Sequence, residues 1–511
     1  MKSLQDALQE EFGYQQFREG QEEIIEAVLS GNDVLAVLPT GSGKTICYHL
    51  PAKLLGGLTV VISPLVSLME DQVTQMKASG DKAVAHISSL VSSQDKKEIL
   101  KDLNNYHMIF VSPEMISVPY IKQLLMRQKI DLFVVDEAHC ISQWGHEFRT
   151  DYLRLSDVRK QLGNPPCLAL TATATLEVER DIRHHLNMKN GIVCRFPVNR
   201  PNIFLEVETV EYEKEKDELF LRRMETIKYP TIVYSGTRKR AVYYAAMLRK
   251  KGMQKVAFYH GGMDKEDRLL IQQQFIRDEL DVICCTNAFG MGINKPNVRS
   301  VIHLNLPSSV EQYVQEIGRA GRDNNQSLAL IINCEKDRIL PLSFIENEFP
   351  ENYLIEQLMR DTIIEGRTVE EVQQLNQMNE TQWKMLVYYL EQINVINNNR
   401  FILLGREEEV LAEIIDYFEK RKSEKIILLD QMNRLIKSEA CIRADIATYF
   451  SDPVIDSPNW CCSYCHSSNK FNDWFKLEID KSPHLIKMPV AELKDDWKSR
   501  LKNMLLIETE S

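Results

Sequence analysis

The chain has 511 residues, with 62 Lys and Arg against 73 Asp and Glu, a formal charge of −11. That balance excludes a globally basic polyanion binder but leaves room for a basic groove on one face. Hydrophobic residues at 44% and charged residues at 26% are the profile of a soluble globular chain of several domains, and no run approaches the ~18–20 apolar residues that span a bilayer. Residues 1–17, MKSLQDALQEEFGYQQF, carry acids and glutamines where a signal peptide needs an apolar run, so a cytoplasmic protein is expected.

Up to about residue 335, short β-branched-rich runs alternate with amphipathic helical stretches. Val34–Leu38, Thr59–Ser63, Met108–Ser112, Asp131–Val135 and Cys167–Thr171 read as buried parallel strands. A second series lies at Thr231–Tyr234, Val256–Tyr259, Asp281–Cys285, Val301–Leu304 and Leu328–Asn333. Two such series predict an α/β chain with two parallel-sheet domains, joined near Arg195–Asn202, where Pro197 and Pro201 stand. Beyond residue 340 the strand runs stop. Thr381–Ile396 has apolar residues at helical spacing (Trp383, Leu386, Val387, Leu390, Ile393), and Val395 to Leu404 reads as a hairpin turning on Asn397-Asn398-Asn399-Arg400. Helix, turn, helix, hairpin is the outline of a winged helix; a packing insert is the plainer reading of the same letters. A helical hairpin is expected over roughly Glu407–Phe450, then a cysteine cluster, then a tail with Trp474 and Trp497.

The strongest local signal is Leu38-Pro39-Thr40-Gly41-Ser42-Gly43-Lys44-Thr45, after a strand and before a helix. Backbone N–H groups of such a Gly-rich turn cradle a polyphosphate, Lys44 reaches the β/γ phosphates and the Thr45 hydroxyl ligates Mg²⁺. Leu38 stands where the usual pattern has its first glycine. Leu132–Val135 then runs into Asp136-Glu137-Ala138-His139. Asp136 would hold Mg²⁺, and Glu137 would orient and deprotonate the attacking water. Gln312–Arg322 ends in Gly-Arg-Ala-Gly-Arg, and one of Arg319 and Arg322 is expected to act on the γ-phosphate from the second domain.

With these motifs the chain resembles a superfamily 2 helicase, and closely the RecQ family of DNA helicases. Phe17–Gln21 resembles that family's adenine-recognition motif, which implies that Tyr14, Arg18 and Gln21 contact the base of ATP. Leu38–Thr45 matches motif I, Ser63–Leu68 motif Ia, Ser112-Pro-Glu114 motif Ib, Asp136–His139 motif II and Thr171–Thr175 motif III. Tyr234–Arg238 is a further loop of this kind, Thr286–Asn294 looks like motif V and Gln312–Arg322 like motif VI. The resemblance runs from about residue 10 to 335. It implies two tandem RecA-like domains, 1–198 and 199–345. A winged-helix-like segment would come next at 346–406, a helical hairpin with zinc module at 407–470, and a tail at 471–511. Cys140–Tyr152 resembles the family's aromatic-rich loop, which couples single-strand binding to hydrolysis. Trp144 and Phe148 suit stacking on unpaired bases, worth ~1–3 kcal/mol each. Gln143 and His139 are placed to sense the γ-phosphate. Arg149 of the same loop, with Ser63, Ser112, Arg238 and Thr286, completes the expected DNA contacts.

The cysteines at 441, 461, 462 and 465 read C-x19-C-C-x2-C, a tetrahedral, closed, structural Zn²⁺ set of Cys441, Cys461, Cys462 and Cys465. The adjacency of Cys461 and Cys462 is sterically awkward, so His466 is an alternative ligand and a metal-free cluster remains open. The family's usual C-terminal winged helix and terminal helical domain do not fit in the residues after the cluster. The leading expectation is an ATP-, Mg²⁺- and Zn²⁺-dependent motor on single-stranded and partly duplex DNA. The resemblance implies 3′–5′ movement and unwinding in recombination and repair, as a monomer at the nucleoid beside single-strand-binding or repair proteins. An RNA helicase of related architecture, or an ATP-gated clamp or annealing scaffold, stays open beside it.

Overall fold

A parallel strand pair needs a crossover, and the alternation of apolar runs with amphipathic helices supplies one between successive strands. The computed structural model describes residues 3–465 apart from 90, 143–148, 291–294, 363–365, 403–406 and 454–459. The first sheet holds β1 (Val34–Val37), β2 (Leu58–Ile62), β3 (Val84–Ile87), β4 (Met108–Val111), β5 (Ile130–Val135), β6 (Cys167–Thr171) and β7 (Ile192–Arg195), in the order β3-β4-β2-β5-β6-β1-β7. The second holds β8 (Ile203–Val210), β9 (Thr231–Tyr234), β10 (Val256–Tyr259), β11 (Val282–Cys285), β12 (Ser300–His303) and β13 (Ser327–Cys334), in the order β10-β11-β9-β12-β13-β8. Every pairing in both is parallel, which makes two RecA-like lobes in tandem. Three strands go beyond those expected: β3, β7 and β8. All three lie at sheet edges, where one flank is unpaired within the sheet and the letters need not be uniformly apolar.

The helical region after residue 338 shares the core of the second lobe. Trp383, Leu386, Leu390, Phe418 and Leu429 are buried in one cluster with Tyr313 and Val301. The helix Glu380–Gln392 starts on a capping box from Asn379 and buries Trp383, Leu386 and Leu390 of the stripe read from its spacing, with Val387 and Ile393 half-buried against the same cluster. It is preceded by the helix Val369–Leu375 and followed by the hairpin β14 (Ile396–Asn397) and β15 (Arg400–Phe401). The turn residues Asn398 and Asn399 have φ of 47° and 63°, the left-handed pair of a two-residue hairpin turn that Asn tolerates. Arg400 donates to the Gly366 carbonyl at 2.5 Å, so its side chain is used within the segment. The 30-residue helix Glu407–Ile436 and the helix Ile442–Tyr449 then lead to the cysteines. Among the described residues, no helix is long and apolar enough to cross a membrane.

Candidate active site

The glycine-rich loop leaves β1 and enters the helix Ile46–Leu54. Gly41 and Gly43 have φ of 84° and 80°, a left-handed backbone that a side chain would strain. Gln21 donates to the Ser42 and Gly43 carbonyls (2.8 and 3.1 Å), Arg18 donates to the Gly41 carbonyl (2.6 Å), and Gln21 Oε1 accepts from the Arg18 N–H (3.0 Å). In this state Gln21 therefore braces the loop, and its amide is occupied there rather than left open for a base edge. Tyr14 is exposed, as a stacking residue must be. Thr45 Oγ1 donates to Gln72 at 3.5 Å, and Ser42 Oγ is buried with no hydrogen-bond partner among the described residues.

The acids sit at the tip of β5. The Asp136 N–H donates to the Ile62 carbonyl (2.9 Å), the Asp136 carbonyl accepts from the Tyr152 hydroxyl (3.0 Å), and Asp136 Oδ1 accepts from the Glu137 N–H (2.9 Å). Glu137 has φ of 49°, which turns its side chain out of strand alternation. Burial lifts the Asp136 carboxyl to about 7; the Glu137 charge adds to the lift, and Lys44 opposes it. Burial likewise lowers the Lys44 pKa against the pull of Glu137 and Asp136. His139 is buried, with Nδ1 3.1 Å from Thr171 Oγ1 and 3.5 Å from Glu137, so it ties the acids to the tip of β6.

Motif VI closes the cleft from the other lobe. A Cβ on Gly318 would fall 1.7 Å from Thr40 Oγ1, so only glycine lets the two lobes touch there. Arg322 lies on the loop: a Cβ on Gly41 would come 3.0 Å from its Cγ. Burial pushes the Arg322 guanidinium down to about 9, with Arg319 and Arg200 adding to the push and Glu137 opposing it. Arg319 turns inward instead and donates to the Gly290 carbonyl in the described part of motif V. Arg200, in the connector between β7 and β8, donates to Thr40 (2.7 Å), Gly318 (3.3 Å), Ala320 (3.3 Å) and Gly321 (2.6 Å) carbonyls. The sequence marks this connector by its prolines and gives no sign of the arginine's partners. The half-buried cations Lys44, Arg200 and Arg322, gathered around a loop with a buried hydroxyl that has no partner among the described residues, fit a polyphosphate, the group that would neutralise them.

The expected DNA contacts fare unevenly. Ser63 and Ser112 are each 1% exposed, and Ser112 Oγ donates to Glu114 at 2.5 Å, so in this state neither hydroxyl faces an incoming strand. Their loops carry the tips of β2 and β4, and burial there results from the parallel packing of those strands. Arg149 donates to the Pro64 carbonyl (2.9 Å), binding the aromatic-rich loop to motif Ia. Arg238 is exposed against Gly262, and Thr286 caps the end of β11. Gln143, Trp144 and Phe148 lie outside the described residues, as do residues 291–294 of motif V.

The cysteines converge. The sulfurs of Cys441, Cys461, Cys462 and Cys465 all lie within 4.8 Å of one another, with separations of 3.4, 3.6 and 4.0 Å among them. Zinc–sulfur bonds of ~2.3 Å put tetrahedral sulfurs ~3.8 Å apart, so the set fits Zn²⁺. Adjacency is no obstacle, because Cys462 pairs with Leu205 for a single residue and the chain then turns. His466 lies outside the described residues. The Leu205 N–H donates to the Cys461 carbonyl (3.3 Å) and the Ser463 N–H to the Leu205 carbonyl (2.9 Å), so this segment covers the open edge of β8.

Comparison with known proteins agrees with this geometry. The DEAD/DEAH box helicase family model matches residues 18–182, and the Helicase conserved C-terminal domain model matches residues 215–324. The chain is 40% identical over its whole length to the Probable ATP-dependent DNA helicase RecS of Bacillus subtilis, 99% of which is covered. It is 43% identical over 63% of its length to the ATP-dependent DNA helicase RecQ of Haemophilus influenzae, of which it spans about half (51%). The fold is similar to that of S. cerevisiae Dbp5 bound to RNA and ADP BeF3, with a TM-score of 0.55 at 20% identity over 67% of this chain and 90% of that one.

Proposed function

Because the chain belongs to the RecQ family of ATP-dependent DNA helicases, we propose that it couples ATP hydrolysis between its two lobes to 3′–5′ movement on single-stranded DNA. Duplex unwinding in recombination and repair results from that movement. The observation that carries the reading is the half-buried cation set around the glycine loop, with Arg322 of the second lobe seated on Gly41 of the first. Bound there, ATP brings its own anionic phosphates, and Mg²⁺ held by Thr45 and Asp136 supplies charge neutralisation between them. Glu137 takes the proton of the attacking water, Lys44 binds the β/γ phosphates, and Arg322 stabilises the charge that develops at the γ-phosphate. Arg319 holds the motif V backbone. Tyr14 stacks on the base side of the nucleotide, and Arg18 and Gln21 reach it by exchanging the loop carbonyls they hold in the free state.

In this reading residues 1–198 and 199–345 are the motor lobes. Residues 346–406 are a winged-helix-like brace, 407–470 carry a four-cysteine zinc module, and 471–511 form a tail. Trp144 and Phe148 stack on bases, Arg149, Arg238 and Thr286 meet the strand, and Gln143 and His139 sense the γ-phosphate. The protein would act as a monomer at the nucleoid, beside single-strand-binding or repair proteins.

Steady-state ATPase measured with no nucleic acid, single-stranded DNA or single-stranded RNA tests this first. Stimulation by DNA is expected, with strand displacement only from a 3′ overhang. Lys44→Ala is expected to abolish turnover while the chain stays folded, because the side chain belongs to the glycine loop rather than to a packed apolar core. Equal stimulation by RNA, or binding without turnover, would replace this reading with an RNA helicase or a clamp.

A further inference from the structure

We propose that Arg200 is a positioning residue for hydrolysis, and that the cysteine module controls it through Arg443. The proposal rests on the ATPase reading above. Arg200 belongs to neither phosphate loop nor motif VI, yet its guanidinium is the hydrogen-bonded bridge between them. One nitrogen reaches Thr40, the residue before Gly41; the other reaches Gly321, the residue before Arg322. These are its two short bonds, at 2.7 and 2.6 Å. The flanking residues are the pair in contact across the cleft, where a Cβ on Gly41 would meet Arg322 Cγ at 3.0 Å. Arg200 thus sets the distance between the glycine loop and the arginine that acts on it. A planar fork can satisfy carbonyls on both sides at once, whereas an ammonium offers one point charge.

The backbone of Arg200 is held in turn from the cysteine module. Arg443 stands two positions after Cys441, in the first turn of the helix Ile442–Tyr449. Its guanidinium donates to the carbonyls of Arg200 (3.0 Å), Ile203 (2.5 Å) and Cys461 (3.2 Å) and to Asn199 Oδ1. The Val198 N–H donates to Asp452 of the same module at 2.8 Å. Residues 198–203 are therefore gripped by the module on one side and grip the nucleotide cleft on the other. Loss of this grip displaces Arg322 relative to Gly41 without removing any group that binds ATP. That kind of misplacement costs turnover more than affinity.

The test uses the full chain with saturating single-stranded DNA. Arg200→Ala and Arg200→Lys are expected to lower kcat about 10-fold to 100-fold with KM for ATP nearly unchanged. Lysine should recover little, and adding Arg200→Lys to Arg322→Ala should cost little more than Arg322→Ala alone, since both act at one step. Arg443→Gln, with zinc content measured in the same sample, is expected to lower kcat with zinc retained. Turnover within twofold of wild type in a folded Arg200→Lys protein would overturn the proposal. So would additive loss in the double variant, or a fall in kcat that merely tracks a lower melting point. Absence of turnover in the wild type would instead sink the ATPase reading itself, and Lys44→Ala marks that baseline.

Discussion

Arg319 and Arg322 share a sequence motif but take different partners. Arg319 donates to a backbone carbonyl of its own lobe, while Arg322 crosses to the glycine loop. Burial decides what Arg322 calls for, because a guanidinium pushed down to about 9 invites an anion. A second, half-buried charge cluster forms around His49 and Lys53 of the helix Ile46–Leu54. Asp81 accepts from His49 (2.7 Å) and His107 (2.9 Å), with Lys53 at 3.6 Å. Burial alone would raise its carboxyl, but donation from both histidines and the lysine charge outweigh it and hold the group at about 2. A folded pKa below the unfolded value of ~3.9 means the stabilisation is fully present above about pH 4 and is lost as pH falls towards 2. Asp81→Asn is therefore expected to cost about 1–3 kcal/mol at pH 7. It should also flatten the pH dependence of the unfolding midpoint between about pH 4 and 2. An unchanged acid limb in urea titrations would show that the cluster contributes nothing.

At the scale of elements, the cysteine segment repairs an exposed edge. β8 ends the second sheet, and Cys461–Ser463 supplies the missing backbone partners over a single bridge. The four converging thiols would hold that segment in place around Zn²⁺, and a four-thiolate set leaves no open position for water. Cys465→Ala is expected to lose its zinc and lower the unfolding midpoint while nucleotide binding persists. Metal analysis beside a fluorescent-nucleotide titration checks both, and one zinc per chain in the variant would mean that the ligand set is different. The hairpin β14–β15 is secured on a smaller scale by its own turn. Two asparagines in left-handed conformation make that turn, and Asn399 Nδ2 donates to Glu370 at 2.7 Å.

Across the whole molecule, the lobes meet at more than the nucleotide cleft. Lys265 pairs with Glu70 at 2.8 Å, and Gln272 donates to Asp71 at 2.6 Å, from the helix Lys265–Ile276 to the helix Val66–Ala78. Arg154 reaches Glu391 at 2.6 Å and joins the first lobe to the helical region. The exposed ion pairs are worth little singly, ~0.2–1 kcal/mol, but Asp71–Gln272 is partly buried. Gln272→Glu would set a third carboxylate beside Asp71 and Glu70, a repulsion of roughly 1–4 kcal/mol. The expected outcome is a larger radius of gyration by solution scattering without nucleotide, and weaker stimulation by DNA. Unchanged scattering would mean that the arginine bridge alone holds the lobes closed.

The motifs made the chemistry legible because each is local. A glycine loop, an acid pair at a strand tip and Arg-Ala-Gly-Arg each need a few adjacent residues, and central strands announce themselves by being apolar on both faces. By itself the sequence therefore determined two parallel-sheet lobes, the glycine loop after β1, the acid pair at the tip of β5, the hairpin and the grouping of the cysteines. Edge strands β3, β7 and β8 escaped it, since their pairing depends on what lies beside them. Only the tertiary structure decided that Arg322 rather than Arg319 faces the loop, that Ser63 and Ser112 are buried, and that Arg200 and Arg443 link cleft to module. The arginine contacts join residues more than a hundred positions apart and are set by how the lobes dock, and spacing along the chain carries no record of that docking.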